Sequence, residues 1–164
     1  MHADFLLTAA EVSGALLGFV GVILVLGRRS EGIHGRRDRS GLFHLAYTAS
    51  GALFFSLLMY VFLASFNQPE LVWRAGVGVC TIHITVGNYK AIVEGRSGGN
   101  RLSTFVRNTL TVITFAVIGM NIAVIFGFLT ALAPFAFMVS ITLLIAVAVS
   151  YFLPFVFGNA ESDA

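Results

Sequence analysis

Three side chains in this sequence could do chemistry in a place where chemistry is costly. Glu11, His83 and Asn121 each lie within a long apolar run. An ionisable group inside a bilayer costs roughly 2.5–3.5 kcal/mol on insertion scales, so it calls for a partner or a hydrated path. At helical periodicity Glu11 shares one face with Gly14, Gly18, Gly21 and Val25, and Arg28 lies at its edge. Two readings of that stripe stand open. Gly14-xxx-Gly18 is the small-xxx-small pattern that lets helix backbones approach closely, which makes the stripe a packing seam. Alternatively, copies of the helix around an axis form an acidic ring at Glu11, and such rings favour cations.

His83 falls near the middle of its run, with Gly76, Cys80, Gly87 and Lys90 on its face. Asn121 has Thr114 beside it, while Ala116, Gly119, Ala123 and Gly127 form a second small-residue seam opposite. Measured from one end of the bundle at 1.5 Å per residue, Glu11, Asn121 and His83 sit at roughly 9, 13 and 18 Å. One polar cluster within a protomer is compatible with those depths. A Glu–His pair there would relay protons or hold a cation. On the other reading each side chain bonds to a neighbouring helix and fixes packing, a contribution of about 1 kcal/mol.

Other chemistry has little support. His44 and His83 bring haem ligation to mind, but His44 is expected near one end of its helix and His83 near mid-depth, so one haem would not bridge them. With a single cysteine and no histidine pair at ligand spacing, no metal site is expected. The loop Gly95-Arg-Ser-Gly-Gly-Asn-Arg101 lacks the phosphate-binding glycine pattern, and the serines and threonines lack an acid–base triad. The expectation is a protein with no cofactor and no enzymatic activity.

The elements that must position these residues follow from composition. Of 164 residues, 57% are hydrophobic and 11% charged, against about 45–50% and 25% in soluble domains. Those values exclude a soluble enzyme, a disordered chain and a disulfide scaffold. Each membrane helix needs about 20 apolar residues. The runs 5–26, 42–66, 71–93, 109–130 and 135–157 meet that need. The expected fold is an all-α integral membrane bundle of about five spans, one domain over 1–164. The third run is the weakest, because Arg74 and Lys90 must snorkel from its ends with Trp73 and Tyr89 as interfacial aromatics.

Nine of the ten Lys and Arg residues fall on one side of this arrangement. The positive-inside rule then puts the N-terminus outside and the C-terminus inside. Residues Met1 to Asp4 contain no Lys or Arg, which argues against a cleaved signal peptide. Arg28, Arg29, Arg36, Arg37 and Arg39 would meet anionic lipid head groups, at about 1 kcal/mol per charge. A net charge of +2 is thus a topology signal, and no nucleic-acid partner is expected.

The segment Glu11-Val-Ser-Gly-Ala-Leu-Leu-Gly-Phe-Val-Gly-Val, running into Gly27-Arg-Arg-Ser-Glu-Gly32, resembles the start of a group of small uncharacterised bacterial membrane proteins. Ala52-Leu-Phe-Phe-Ser-Leu-Leu58 and Trp73-Arg74 extend the similarity over about the first 75 residues. The resemblance implies a bacterial inner-membrane location and no particular chemistry. A bundle this small leaves little interior for a path, so a conducting route is expected between subunits of a homo-oligomer. The functional expectation is a homo-oligomeric pore for small ions, with helix one lining it and Glu11 setting a preference for cations. The alternative is a non-catalytic scaffold or accessory subunit of a membrane complex.

Overall fold

The computed structural model describes residues 2–29, 36–96 and 104–157. They form five α-helices, α1 (His2–Arg29), α2 (Arg36–Ser65), α3 (Pro69–Arg96), α4 (Thr104–Ile125) and α5 (Ala133–Phe157), with a short 3₁₀ turn at Thr130–Leu132. No strand occurs among the described residues. Four of these helices contain stretches long and apolar enough to cross a membrane: His2–Val25, Ser40–Ser65, Thr104–Ile125 and Thr130–Pro154, the last taking in the 3₁₀ turn. The fifth, α3, has 28 residues but a larger polar content, and it stands apart from the other four.

Most helices run past the apolar segments read from the sequence, because backbone hydrogen bonding continues until a breaker stops it. Helix α2 begins at Arg36, not Leu42, and α3 extends to Arg96. Between α2 and α3, Phe66-Asn-Gln68 makes the turn and Pro69 opens the next helix, where its missing N–H is no loss. Helix α4 occupies Thr104–Ile125 and not 109–130. Gly127 sets that end: its φ of 90° is open to glycine, and it terminates the helix in a Schellman motif. Phe128 N–H donates to the Ala123 carbonyl at 3.0 Å and Gly127 N–H to that of Val124 at 3.1 Å.

One orphan carbonyl of that terminus is met from another helix. The Arg74 guanidinium, in the second turn of α3, donates to the Ile125 carbonyl at 2.8 Å. The charge expected to snorkel outward is therefore tied to the end of α4. Trp73, expected at an interface, is buried instead, with its ring edge-on to those of His2 and Phe137. Tyr89 is exposed, as an interfacial residue would be. The Lys90 ammonium lies 3.2 Å from the centre of the Phe43 ring, a cation–π contact across α2 and α3.

Helix α5 packs against all four other helices, whereas α1 packs on α2 and α5 at the margin. One apolar cluster gathers Phe55, Trp73, Val77, Val124, Phe137 and Ile141, and a smaller one gathers Leu16, Val20, Leu45, Ala49, Ala148 and Tyr151. We call the end carrying the α1–α2 and α3–α4 connections the basic end.

A reciprocal pair of notches joins α2 to α3. The His83 ring lies over Gly51, where an added Cβ would fall 2.2 Å from Nε2. The Tyr47 ring lies over Gly87, where a Cβ would fall 2.8 Å from a ring carbon. Overpacking of this kind costs about 1–3 kcal/mol. Gly51→Ala should therefore lower the thermal midpoint of the detergent-solubilised protein, and adding His83→Ala should restore part of the loss. Equal midpoints for wild type and Gly51→Ala would refute the notch.

Candidate functional site

The three polar residues singled out from the sequence have different surroundings. Glu11 is exposed on α1, on the side away from α2 and α5, and no hydrogen-bond or ion-pair partner faces it among the described residues. A Cβ added at Gly14, Gly18 or Gly21 would meet nothing within 4 Å. The glycine seam is therefore not used inside the chain. Its opposite face carries the buried Leu6, Ala9, Ser13, Leu16 and Val20. Helix α1 thus has one face built into the bundle and one left open. The open face holds the carboxylate.

Asn121 is fully buried on α4, and its Nδ2 donates to the Ser140 hydroxyl of α5 at 2.9 Å. Ser140 in turn donates to the Ala136 carbonyl at 2.8 Å, so its oxygen accepts from the amide. The Asn121 Oδ1 has no partner. His83 is half-buried between α2 and α3. Its ring stacks on Tyr47 with centroids 4.0 Å apart and planes 6° apart, and Phe55 meets it edge-on. The Tyr47 hydroxyl donates to the His83 carbonyl at 3.0 Å, while His83 Nε2 lies 3.3 Å from the Tyr47 carbonyl. A carbonyl only accepts, so that contact requires the proton on Nε2. Glu11, Asn121 and His83 accordingly do not form the single polar cluster that their depths allowed. Asn121 is held between α4 and α5 and His83 between α2 and α3, while Glu11 stands on the open face of α1.

The chain does contain a cavity, and it is one that sequence reading missed. A partly open space of about 60 Å³ lies toward the basic end between α2, α3, α4 and α5. His44 and His83 both line it. The two histidines stay apart along the bundle, since His83 lies opposite Gly51, seven residues or roughly 10 Å beyond His44 on α2; one elongated cavity reaches both. The His44 ring is buried and stacks on Tyr151 at 5.0 Å and 19°. The Tyr–His pairs thus frame the cavity from two sides. Arg107, Thr111 and Thr114 line it from α4, at spacings of four and three residues that put them on one helix face.

The hydroxyls on these walls already use their protons. Thr48 donates to the His44 carbonyl at 2.8 Å, Thr111 to that of Arg107 at 2.8 Å, and Thr114 to that of Leu110 at 2.7 Å. What they offer the cavity is acceptor lone pairs. The signal that could have found this site was the four-residue pairing of His44 with Thr48 and Tyr47 with Gly51, set against the Arg107–Thr111–Thr114 line. No group of three or more metal-ligating side chains occurs among the described residues. The side chains of Arg28, Arg29, Arg36, Arg37 and Arg39 lie outside the described residues.

No protein-family model, curated protein or solved structure matches this chain. Function has to be read from geometry and chemistry.

Asn121 makes one hydrogen bond and leaves one buried acceptor unmet, contributions of similar size and opposite sign. Asn121→Leu, close in volume, should therefore change unfolding free energy by less than about 1.5 kcal/mol. A loss beyond about 3 kcal/mol in chemical denaturation would mean that Oδ1 has a partner of consequence.

Proposed function

We propose that the chain forms a homo-oligomeric pore for small ions in the inner membrane of a bacterium. All five helices cross the bilayer in this reading, with the N-terminus outside and the basic end in the cytoplasm. Helix α1 lines the path between subunits, Glu11 favours cations, and Gly14, Gly18 and Gly21 keep the path open. His83 and Asn121 serve the frame and not the path. The arginines at 28, 29, 36, 37 and 39 meet anionic head groups at the cytoplasmic surface.

The observation that carries this reading is the open face of α1. Glu11 lies about 13 Å along that helix, inside a stretch apolar enough to cross a membrane, and is exposed without a partner among the described residues. A carboxylate left against hydrocarbon is costly. A water-filled axis shared with other copies removes that cost, and it is the arrangement in which acidic rings select cations. Packing alone gives no reason for an acid at this position.

A second reading has its own observation. Helix α4 also presents an open small-residue face, since Ala116 and Gly119 are exposed and a Cβ at Gly119 would meet nothing within 4 Å. Two open faces suit a chain that packs into a larger complex as a non-conducting subunit.

Reconstitution in planar bilayers separates the two. The pore reading expects a purified homo-oligomer that conducts and prefers cations, with Glu11→Gln lowering the cation-to-anion permeability ratio severalfold. A conducting oligomer whose selectivity is unchanged in Glu11→Gln would remove Glu11 from the path. A silent chain that co-purifies with a stoichiometric partner would establish the accessory reading.

A further inference from the structure

The cavity between α2, α3, α4 and α5 plays no part in a pore lined by α1, and its chemistry is distinct. Among the described residues its lining contains an arginine, Arg107, and no carboxylate. Arg107 stands three residues into α4, toward the basic end, where helix termini and head groups meet. Asn88 lies on the facing wall from α3 and adds amide N–H donors. Deeper in, the wall becomes aliphatic, with Ile84, Leu110, Leu143, Leu144 and Val147. Thr114, at the deep end, is seven residues beyond Arg107 on the same helix, or roughly 10 Å further from the end of the bundle. The space is therefore graded: cationic and amide-lined near the helix ends, and largely aliphatic below, where Thr111, Thr114 and the His83 ring interrupt the hydrocarbon.

We propose that this cavity is a binding site for an anionic phospholipid of the leaflet at the basic end. The phosphate engages Arg107 and Asn88, and the first methylenes of an acyl chain lie against Leu143, Leu144 and Val147. A volume of about 60 Å³ admits only the upper part of a chain. The remainder runs out through the open side into the bilayer. Arginine suits this role because its planar donor fork matches two phosphate oxygens at once. Basic pockets between helices are a known mode of head-group recognition. The threonine hydroxyls, with their protons engaged in their own helices, form a smooth wall and do not compete for the phosphate. The Tyr47–His83 and His44–Tyr151 stacks hold the walls apart. The site does not depend on whether α1 lines a path.

The test uses the full chain, purified and delipidated in mild detergent, with bound lipid counted by native mass spectrometry. Phosphatidylglycerol and phosphatidylcholine of identical chains are titrated separately, with oleate as a third probe. Phosphatidylglycerol should bind about tenfold more tightly than phosphatidylcholine. Arg107→Gln should weaken it about tenfold, and Arg107→Lys should recover part of that loss. Val147→Phe, which fills the apolar part of the cavity, should weaken binding without touching charge, and it keeps the test decisive if Arg107→Gln does not fold. Lys90→Gln, a charge removed at the same end but outside the lining, should leave binding unchanged. Equal binding of the two phospholipids, wild-type binding in Val147→Phe, or an equal loss in Lys90→Gln would each overturn the site. So would binding of oleate alone.

Discussion

The constraint on which this structure turns is that polar groups surrounded by apolar residues must find partners within the chain. Hydroxyls meet it locally: Ser13, Thr48, Thr81, Thr85, Thr111, Thr114, Ser140, Thr142 and Ser150 all donate to the carbonyl four residues back. Helix ends cannot solve it locally. The α4 terminus needs a glycine turn for two of its carbonyls and a guanidinium from α3 for a third. Among the described residues the buried side-chain atoms left without a partner, Ser56 Oγ and Asn121 Oδ1, are thus exceptions against a well-satisfied background.

That constraint also explains how the helices are joined. Between helices in an apolar medium there is little hydrophobic gain, so close approach and a few polar contacts must hold them. The α2–α3 contact uses both. Glycines at 51 and 87 let two rings sit directly on the opposing backbones, and the Tyr47 hydroxyl then reaches the His83 carbonyl. The cavity is a by-product of the same geometry. Two aromatic stacks set α2 against α3 and against α5 toward the basic end, and the aliphatic side chains of α4 and α5 do not close the gap.

Five helices were legible in the sequence because apolar runs and a breaker such as Pro69 are local signals, whereas Gly127, read as part of a seam within the fourth helix, instead ends it. The ends of those helices were less so. Hydropathy marks where residues become polar, whereas α2 keeps its hydrogen bonds from Arg36 onward, six residues before the apolar run begins. The types of the candidate residues were legible, but their partners were not. Nothing local says that Asn121 will meet Ser140 or that Gly51 lies opposite His83, since both depend on which helices become neighbours. Gly14, Gly18 and Gly21 read as a seam by pattern, yet the bundle covers the other face of α1. Glycine spacing records that a close approach is possible, not which helix makes it. Trp73 read as a residue facing the bilayer interface, but its ring packs against His2 and Phe137, which only the arrangement of α1 and α5 around α3 decides.

The contact between Arg74 and the α4 terminus has a consequence for the order in which the chain comes together. Helix α3 is synthesised before the Ile125 carbonyl that receives its arginine and before the Phe137 ring that covers Trp73. The helix with the most polar content is therefore the one whose partners arrive last. Until the α4–α5 hairpin exists, α3 leans on α2, through the Tyr47–His83 stack and the Lys90–Phe43 contact, and on α1 through the rings of Trp73 and His2. Its final seating is timed by the C-terminal third of the chain, which acts as a latch on a helix already made. Truncation within that third would thus unsettle α3 as well as the helices it removes.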